Sequence, residues 1–181
     1  MSLRIVQFGL GPIGQASARL ALDHGHVLVG ALDLDPERVG RDLGEVLGRN
    51  PLGVPVSDDM AALADWAPDV VLHTTASFLD RIEGQLMACI GVGAHVVSSS
   101  EELFWPFDRD PGFSDRIDAA AREAGVVVVG TGVNPGFVMD LFPVVLAGVV
   151  ARVDRVDVSR SVDAGRRRGP LQKKVGAGLT E

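Results

Sequence analysis

Two adjacent carboxylates in this sequence are placed where they could act as an acid or a base. Glu101 and Glu102 follow an aliphatic run and stand just before the aromatic residues Phe104 and Trp105. Aromatic neighbours can shield a carboxylate from water and raise its pKa, and such a carboxylate can activate ammonia or water, or stabilise a cationic amine or iminium. The same acidity is common at the start of a helix, so the pattern leaves both catalysis and ordinary acidity at a helix start open.

A glycine-rich segment near the N-terminus could hold a phosphate group. Residues 9–14 read GLGPIG, which matches the G-x-G-x-x-G pattern and lies between an aliphatic run and a helical pattern. The first glycine permits a tight turn, the second lets the backbone approach a pyrophosphate, and the third allows close packing of the helix on the sheet. The N–H groups at the start of that helix attract the anion. These contacts are assigned to Gly9, Gly11, Pro12, Ile13 and Gly14.

An acidic residue follows this segment at the distance expected of a dinucleotide site. Asp33 stands nineteen residues after Gly14, at the end of a second aliphatic run. A carboxylate at that place can accept hydrogen bonds from the hydroxyls of an adenosine ribose, which favours NAD as the cofactor. Arg38 is close enough in sequence to contact the 2′-phosphate of NADP, so NADP stays as the alternative.

Two further polar loops follow aliphatic runs. Thr74, Thr75 and Ser77 come after the fourth run and are predicted to face the nicotinamide end of the cofactor, although Ser77 could also cap the next helix. His73, at the end of that run, is either a catalytic group or, as is commoner, a structural histidine. Asn134 follows the sixth run and could bind the substrate or the nicotinamide carboxamide, while a plain interdomain hinge explains this loop equally well.

The elements that must position these residues alternate between strands and helices. Pro55 marks an edge strand, and Ser57 or Asp58 is expected to cap the helix that follows it. The alternation predicts an α/β fold with a doubly wound parallel sheet of the Rossmann type, in which helices cover both faces of strands such as 126–129. The predicted strands are 3–8, 26–32, 54–56, 70–72, 95–97 and 126–129, and the predicted helices are 12–24, 58–66, 80–90 and 114–124.

The regular alternation ends near residue 133. Residues 1–133 are predicted to form the dinucleotide-binding domain, and residues 134–181 the beginning of an incomplete α+β substrate domain. Val153, Val156 and Val158 suggest a strand in this second part. The stretch from residue 165 mixes basic residues with glycines and has no closing element, so we expect the chain to be truncated.

The composition argues against several classes of protein. The chain has 17 basic and 24 acidic side chains and a formal charge of −7, which opposes binding to nucleic acid or an anionic membrane despite the basic cluster Arg166, Arg167, Arg168, Lys173 and Lys174. The single cysteine, Cys89, lies among apolar residues and is interpreted as a core residue, and no metal site is predicted. Without a signal-like stretch or an apolar run long enough to cross a membrane, a cytoplasmic protein is expected.

Five segments together resemble the family of 2,4-diaminopentanoate dehydrogenase and the native amine dehydrogenases, whose N-terminal domain is similar to dihydrodipicolinate reductase. The resemblance covers nearly all 181 residues, and its last three segments are less generic than a glycine-rich turn. The segments are GLGPIG, LDLDPERVGRDLGEVLG, EELFWP, GTGVNPGFVMD and SVDAGRRRGPLQKKVGAGLT.

This resemblance implies NAD(P)-dependent oxidative deamination of a primary amine to a ketone, with release of ammonia and with reductive amination as the reverse reaction. The family's active-site glutamate falls on Glu102, or on Glu101 if the loop register differs by one, and Asn134, Phe137 and Arg160 fall in the substrate cleft. The implied partners are a small amine or ketone and ammonia, and the implied assembly is a homodimer. The alternatives are a dihydrodipicolinate reductase-like reductase of an imine or enamine, and a module that binds NAD(H) without turnover.

Overall fold

The computed structural model describes residues 1–166, 169, 172, 175 and 176. It divides into two compact units, Met1–Leu141 and Phe142–Glu181. All predicted site residues except Arg160 lie in the first unit. In the basic cluster, Arg167, Arg168, Lys173 and Lys174 lie outside the described residues. Among the residues that are described, no helix is long and apolar enough to cross a membrane.

The first unit is built on six strands: β1 (Arg4–Phe8), β2 (Val27–Leu32), β3 (Val56–Ser57), β4 (Val70–His73), β5 (His95–Ser98) and β6 (Val128–Gly130). All neighbouring strands are parallel, and their order is β3-β2-β1-β4-β5-β6. The chain therefore runs from the centre to one edge, returns to the centre, and then runs to the other edge. The predicted doubly wound parallel sheet is confirmed, with β3 at an edge as Pro55 indicated.

The helices are α1 (Pro12–Asp23), α2 (Leu43–Val46), α3 (Ala62–Trp66), α4 (Leu79–Gly91) and α5 (Pro111–Ala124), with α6 (Phe142–Ala147) in the second unit. The predicted start of α3 is wrong, because Ser57 Oγ and Asp59 Oδ1 accept backbone N–H groups within a turn before the helix. The start of α5 is three residues earlier than predicted. There Asp110 caps the helix by accepting from Phe113 N at 2.9 Å.

A hydrophobic core lies on each face of the sheet. One core joins the sheet to α3, α4 and α5, and the other joins it to α1 and α2. Gly30 on β2 permits the close approach of α3, since a Cβ there would lie 2.2 Å from the Trp66 ring. Cys89 lies in the first core, and burial raises the pKa of its thiol to about 12. Its thiol is therefore a packing group at neutral pH, as the sequence indicated.

Small residues form the buried side of α1. Gly14, Ala18 and Ala21 are buried, whereas Ile13 and Leu20 are 45% and 58% exposed. The predicted helix 12–24 is confirmed as α1, and its larger apolar side chains do not face the sheet. Small side chains are found at these positions because α1 lies close against the sheet beside the glycine turn.

Two predictions for the later part of the chain are wrong. Helices do not cover both faces of residues 126–129, because Val126 and Val128 pack against the core while Val127 and Val129, on the opposite face, are 60% and 43% exposed. No strand forms around Val153, Val156 and Val158. The described residues of the second unit offer no strand with which that segment could pair, and an isolated strand is not stable in water.

Candidate cofactor and active site

The three glycines of the turn between β1 and α1 have different surroundings. Gly9 has a φ of +89°, and a Cβ there would lie 2.7 Å from the carbonyl oxygen of Thr74. A Cβ on Gly14 would lie 1.8 Å from the carbonyl oxygen of Gly9. Gly11 has no heavy atom within 4 Å of the corresponding position, and no side chain caps α1. Packing therefore requires Gly9 and Gly14, whereas Gly11 leaves open space at the start of the helix.

A cavity of about 300 Å³ opens beside this turn, at the carboxyl ends of β1, β2 and β4. Ligands of open α/β sheets bind at this edge, where the strand order reverses. Five residues singled out in the sequence line it, namely Gly9, Gly11, Asp33, Thr74 and Thr75. The other lining residues are Phe8, Leu32, Leu34, Asp58, Met60 and Gln85.

Asp33 stands at the end of β2 and holds the glycine turn as well as facing the cavity. Its Oδ2 accepts from the backbone N–H of Leu10, and its Oδ1 accepts from Asp35 N at 2.8 Å. Arg38 lies 3.4 Å from Asp33 and 3.1 Å from Asp35, so it is paired with two carboxylates. Asp33, and not Arg38, lines the cavity.

Polar side chains fasten the end of β1 to the loop after β4. Thr74 Oγ1 donates to Gly9 O at 2.8 Å, and Gln7 Nε2 donates to Gly9 O and Thr74 Oγ1 at 2.9 Å each. Gln7 is fully buried, and its Oε1 finds no partner among the described residues. These bonds hold the turn and the Thr74–Thr75 pair in one rigid wall of the cavity.

Glu102 caps a helix that is distant from it in sequence. Its Oε2 accepts from Leu79 N, the first residue of α4, at 3.0 Å, and its Oε1 lies 2.7 Å from Nε of Arg109. The sequence did not predict this cap, but Glu102 also stands in the first turn of the short 3-10 helix Glu102–Phe104, which agrees with the alternative of ordinary acidity at a helix start. The alternative that Ser77 caps α4 is wrong, because its side chain makes no such bond, while its backbone oxygen accepts from Glu102 N at 3.1 Å.

Glu102 lies beside a different opening from the one at Asp33. Glu102 is 18% exposed and lines a second cavity together with Phe78, Arg81 and Arg109, and these residues are not part of the first cavity. Glu101 is half-buried at the start of the turn that contains Glu102. Both glutamates follow β5 at the carboxyl edge of the sheet, as the sequence predicted.

Trp105 does not shield the glutamates as expected from the sequence. Its side chain is 62% exposed, packs edge-on against Phe107 with ring centroids 4.9 Å apart, and donates from Nε1 to Asp108. The Phe104 side chain is half-buried. The carboxylate of Glu102 is held in place instead by the hydrogen bond from the α4 backbone and by the ion pair with Arg109.

His73 is a buried structural histidine. Its ring is fully buried, with Nδ1 2.9 Å from Ser98 Oγ and Nε2 2.7 Å from Gln85 Oε1. Burial lowers the pKa of His73 from its ordinary value of 6.5. Both ring nitrogens are already hydrogen-bonded, so the geometry favours the structural alternative over the catalytic one.

The lowered pKa of His73 predicts a loss of stability in mild acid. Below about pH 6.5 the unfolded chain binds a proton on this residue that the folded protein does not, so the free energy of unfolding falls as the pH drops towards the folded pKa. We expect urea denaturation to show lower stability at about pH 5.5 than at about pH 7.5. His73→Gln removes this titration and should show a smaller pH difference, whereas an equal difference would contradict the assignment.

The turn that follows β5 approaches the end of β6 closely. A Cβ on Gly130, the last residue of β6, would lie 2.6 Å from the backbone of Leu103, which follows Glu102 directly. Asn134, in the loop after β6, and Phe137, at the start of the π-helix Phe137–Leu141, are exposed, and Arg160 is exposed in the second unit. The assignment of these three residues to a substrate cleft stays a prediction.

Gln85 is one of the lining residues that the sequence analysis missed. It lies on α4 between Ile82 and Leu86, which are both buried in the core. A polar residue within the apolar stripe of a helix is the signal that could have identified it.

The strand order, the glycine turn and the acid at the end of β2 define the class of fold: the first unit is a Rossmann-type α/β domain. No family model matches the sequence. The chain is 31% identical over 98% of its length to 2,4-diaminopentanoate dehydrogenase of Acetoanaerobium sticklandii, of which the match covers 51%. The resemblance that the five segments predicted is therefore confirmed, since the chain has homologues named 2,4-diaminopentanoate dehydrogenase and amine dehydrogenase.

Two further comparisons agree with this placement. The solved structure of amine dehydrogenase from Mycobacterium smegmatis matches with a TM-score of 0.80 and 35% identity, covering 85% of this chain and 46% of that one. The 4-hydroxy-tetrahydrodipicolinate reductase of Allorhizobium ampelinum is 31% identical over 73% of this chain and 48% of its own length. The chain thus spans about half the length of the curated relatives it matches.

Proposed function

We propose that this protein uses a nicotinamide cofactor to oxidise a primary amine to a ketone with release of ammonia, and that it catalyses reductive amination in the reverse direction. We infer 2,4-diaminopentanoate or a related amine as the substrate. The single observation that carries the proposal is one cavity lined both by Gly11, which has open space beside it, and by Asp33. The names of the relatives support the amine chemistry.

The residues around the cavity fit a dinucleotide. The uncapped start of α1 and the open space at Gly11 suit a pyrophosphate, because free N–H groups and the helix dipole attract anions. Asp33 suits the adenosine ribose, and Thr74 and Thr75 would lie along the same cofactor. When bound, the nicotinamide accepts a hydride from the amine-bearing carbon or returns it to the imine.

Glu102 is proposed as the acid–base group, with Glu101 as the alternative. Its carboxylate takes a proton from the ammonium group of the substrate and passes it to solvent, and the restored negative charge stabilises the iminium left when the carbon loses a hydride. Water then adds to the iminium carbon and gives one proton to the carboxylate, which returns it to the nitrogen. The C–N bond breaks as the new hydroxyl group loses its proton, and the products are the ketone and ammonia. Asn134, Phe137 and Arg160 are proposed to hold the substrate beside it.

We infer a preference for NAD over NADP, because Asp33 faces the cavity while Arg38 is paired with two carboxylates. Asp33→Ser should weaken NADH binding by about tenfold, since a carboxylate that accepts ribose hydrogen bonds is lost. NADPH should bind the variant more tightly than the wild type, because repulsion of the 2′-phosphate is removed. Fluorescence titration with both cofactors measures the ratio.

The matched control for this prediction is Asp35→Ser, which also removes a carboxylate partner of Arg38 but lies outside the lining of the cavity. It should leave the NADH affinity unchanged. Equal effects of the two substitutions would mean that Asp33 acts only through the charge of Arg38.

The overall reaction is tested by incubating the 181-residue protein with NAD and a panel of amines that includes 2,4-diaminopentanoate, and by following NADH absorbance. Amine-dependent NADH formation is the expected result. Binding without turnover would favour a module that only holds NAD(H), and reduction of cyclic imines without amine oxidation would favour a reductase like the Allorhizobium relative. Absence of cofactor binding would overturn the proposal.

A homodimer is the assembly we propose, and light scattering of the purified protein tests it. A monomeric mass at micromolar concentration would contradict this part of the proposal.

A further inference from the structure

A line of hydrogen bonds connects the loop after β5 to the cofactor cavity. Ser100 N donates to Ser98 Oγ at 3.1 Å, Ser98 Oγ lies 2.9 Å from Nδ1 of His73, and Nε2 of His73 lies 2.7 Å from Oε1 of Gln85. Thr75 Oγ1 donates to the same Oε1 at 2.6 Å. The line begins on fully or nearly fully buried serines and ends on one oxygen atom of a residue that lines the cavity.

The partners of these atoms determine which atom donates and which accepts in each hydrogen bond. A carbonyl oxygen can only accept, so the proton of neutral His73 lies on Nε2 and its Nδ1 accepts from the Ser98 hydroxyl. The Gln85 oxygen thereby accepts two bonds from within the protein. Its amide nitrogen, on the other side of the same carbon atom, makes no hydrogen bond to the described residues, and Gln85 lines the cavity, so we infer that these N–H groups are available to a ligand there.

The position of the cavity indicates which half of a dinucleotide it takes. Asp33 and Leu34 follow β2, and Asp58 and Met60 follow β3. Strands β1 to β3 form the first mononucleotide-binding half of such a sheet, and the acid at the end of β2 is the ribose-binding group of the adenosine half. The apolar Leu34 and Met60 side chains provide surface for a flat base, and Gln85 provides hydrogen-bond donors in the same cavity.

We propose that Gln85 is a specificity-determining contact for the adenosine half of the cofactor, with its amide N–H groups donating to acceptor atoms of the base or ribose. His73, Ser98 and Thr75 act as positioning residues, because they fix the direction of that amide. The inference rests on the proposed function, since it requires a dinucleotide in the cavity.

The test compares dissociation constants for NADH and ADP in the 181-residue wild type and two variants. Gln85→Glu keeps an oxygen that accepts from His73 and Thr75 but replaces the donor with a second acceptor. Gln85→Met removes the donor without adding charge. Both variants should raise the dissociation constants for NADH and ADP by about tenfold, which corresponds to the loss of one well-placed hydrogen bond. Met87→Glu, an exposed charge control on the same helix, should bind both ligands like the wild type.

A second measurement tests the positioning role. Ser98 does not line the cavity, and yet Ser98→Ala should weaken NADH binding several-fold because His73 then no longer holds the amide in one direction. In the Gln85→Met background the same change should have no further effect on NADH affinity. A purely structural serine would lower the urea midpoint of both backgrounds and leave the affinity unchanged.

The outcomes separate this inference from the proposed function. If the wild type binds neither NADH nor ADP, the proposed function fails and the inference fails with it. If the wild type binds both and the two Gln85 variants bind equally well, only the inference is overturned. The inference also fails if the variants bind NADH more weakly but bind ADP as the wild type does. It fails as well if Gln85→Met leaves both dissociation constants unchanged and added salt restores NADH binding to Gln85→Glu.

Discussion

Glu102→Gln is expected to lower the rate of amine oxidation by at least about a hundredfold, the usual contribution of a positioned acid–base group. NADH affinity should stay within about twofold of the wild type, because Glu102 is not among the residues that line the cavity beside Asp33. The measurements are NADH formation with saturating amine and a fluorescence titration with NADH.

The same substitution should also lower stability, and this effect has to be separated from catalysis. A glutamine oxygen can still accept from Leu79 N at the start of α4, but the negative charge there and the pairing with Arg109 are lost. Losses of this kind cost about 0.5–1.5 kcal/mol, which leaves a marginally stable domain mostly folded. Urea denaturation of the variant gives the folded fraction with which turnover is corrected.

Glu101→Gln is the matched control, since it removes the neighbouring carboxylate from the same turn. Full activity is expected of it. If Glu101→Gln abolishes turnover while Glu102→Gln does not, the role belongs to Glu101. If both variants turn over normally, the acid–base group lies outside this loop.

The contacts of Glu102 indicate which of its oxygens could act as the base. The bond from Leu79 is made by the backbone at the start of α4 and is therefore fixed by the fold. Arg109 is 64% exposed, and an exposed ion pair contributes only about 0–1 kcal/mol. Oε1, which faces Arg109, can thus be released at low cost, whereas Oε2 stays as the cap. The helix cap and the proposed base are then compatible functions of one carboxylate.

Local patterns predicted much of this architecture. Each aliphatic run between β1 and β6 formed a strand, and GLGPIG followed by Asp33 placed a turn and a carboxylate on one cavity. These features depend on neighbours in sequence or on the general rule that parallel strands present their carboxyl ends at one edge.

Features that depend on distant contacts were not predicted. The cap on α4 comes from Glu102, twenty-three residues away from Leu79, and no spacing rule marks such a pair. Gln85 gained its place in the cavity through bonds to His73 and Thr75, which exist only once α4 has packed. Whether the valines at β6 are exposed likewise depends on which helices pack against that part of the sheet. Sequence periodicity reports which residues are apolar, but the tertiary arrangement decides which of them are covered.

Substitution of the two glycines Gly11 and Gly14 by alanine should separate ligand binding from folding. Gly14→Ala places a methyl group 1.8 Å from the backbone oxygen of Gly9, and that oxygen cannot move without displacing the turn. Strain of this kind in a packed region costs about 1–3 kcal/mol or more. We expect a clearly lower urea midpoint together with the loss of measurable NADH binding.

Gly11→Ala should have a different effect on the same turn. Its methyl group meets no atom within 4 Å, and the residue has a φ of −59°, which alanine adopts readily, so the free energy of unfolding should change by less than about 0.5 kcal/mol. NADH affinity should nevertheless fall by at least about tenfold, because the methyl group occupies the space that a pyrophosphate would need. A Gly11→Ala variant that binds NADH normally would show that the phosphates do not approach this helix. That result would contradict the proposed cofactor geometry, even if Gly14→Ala behaves as expected.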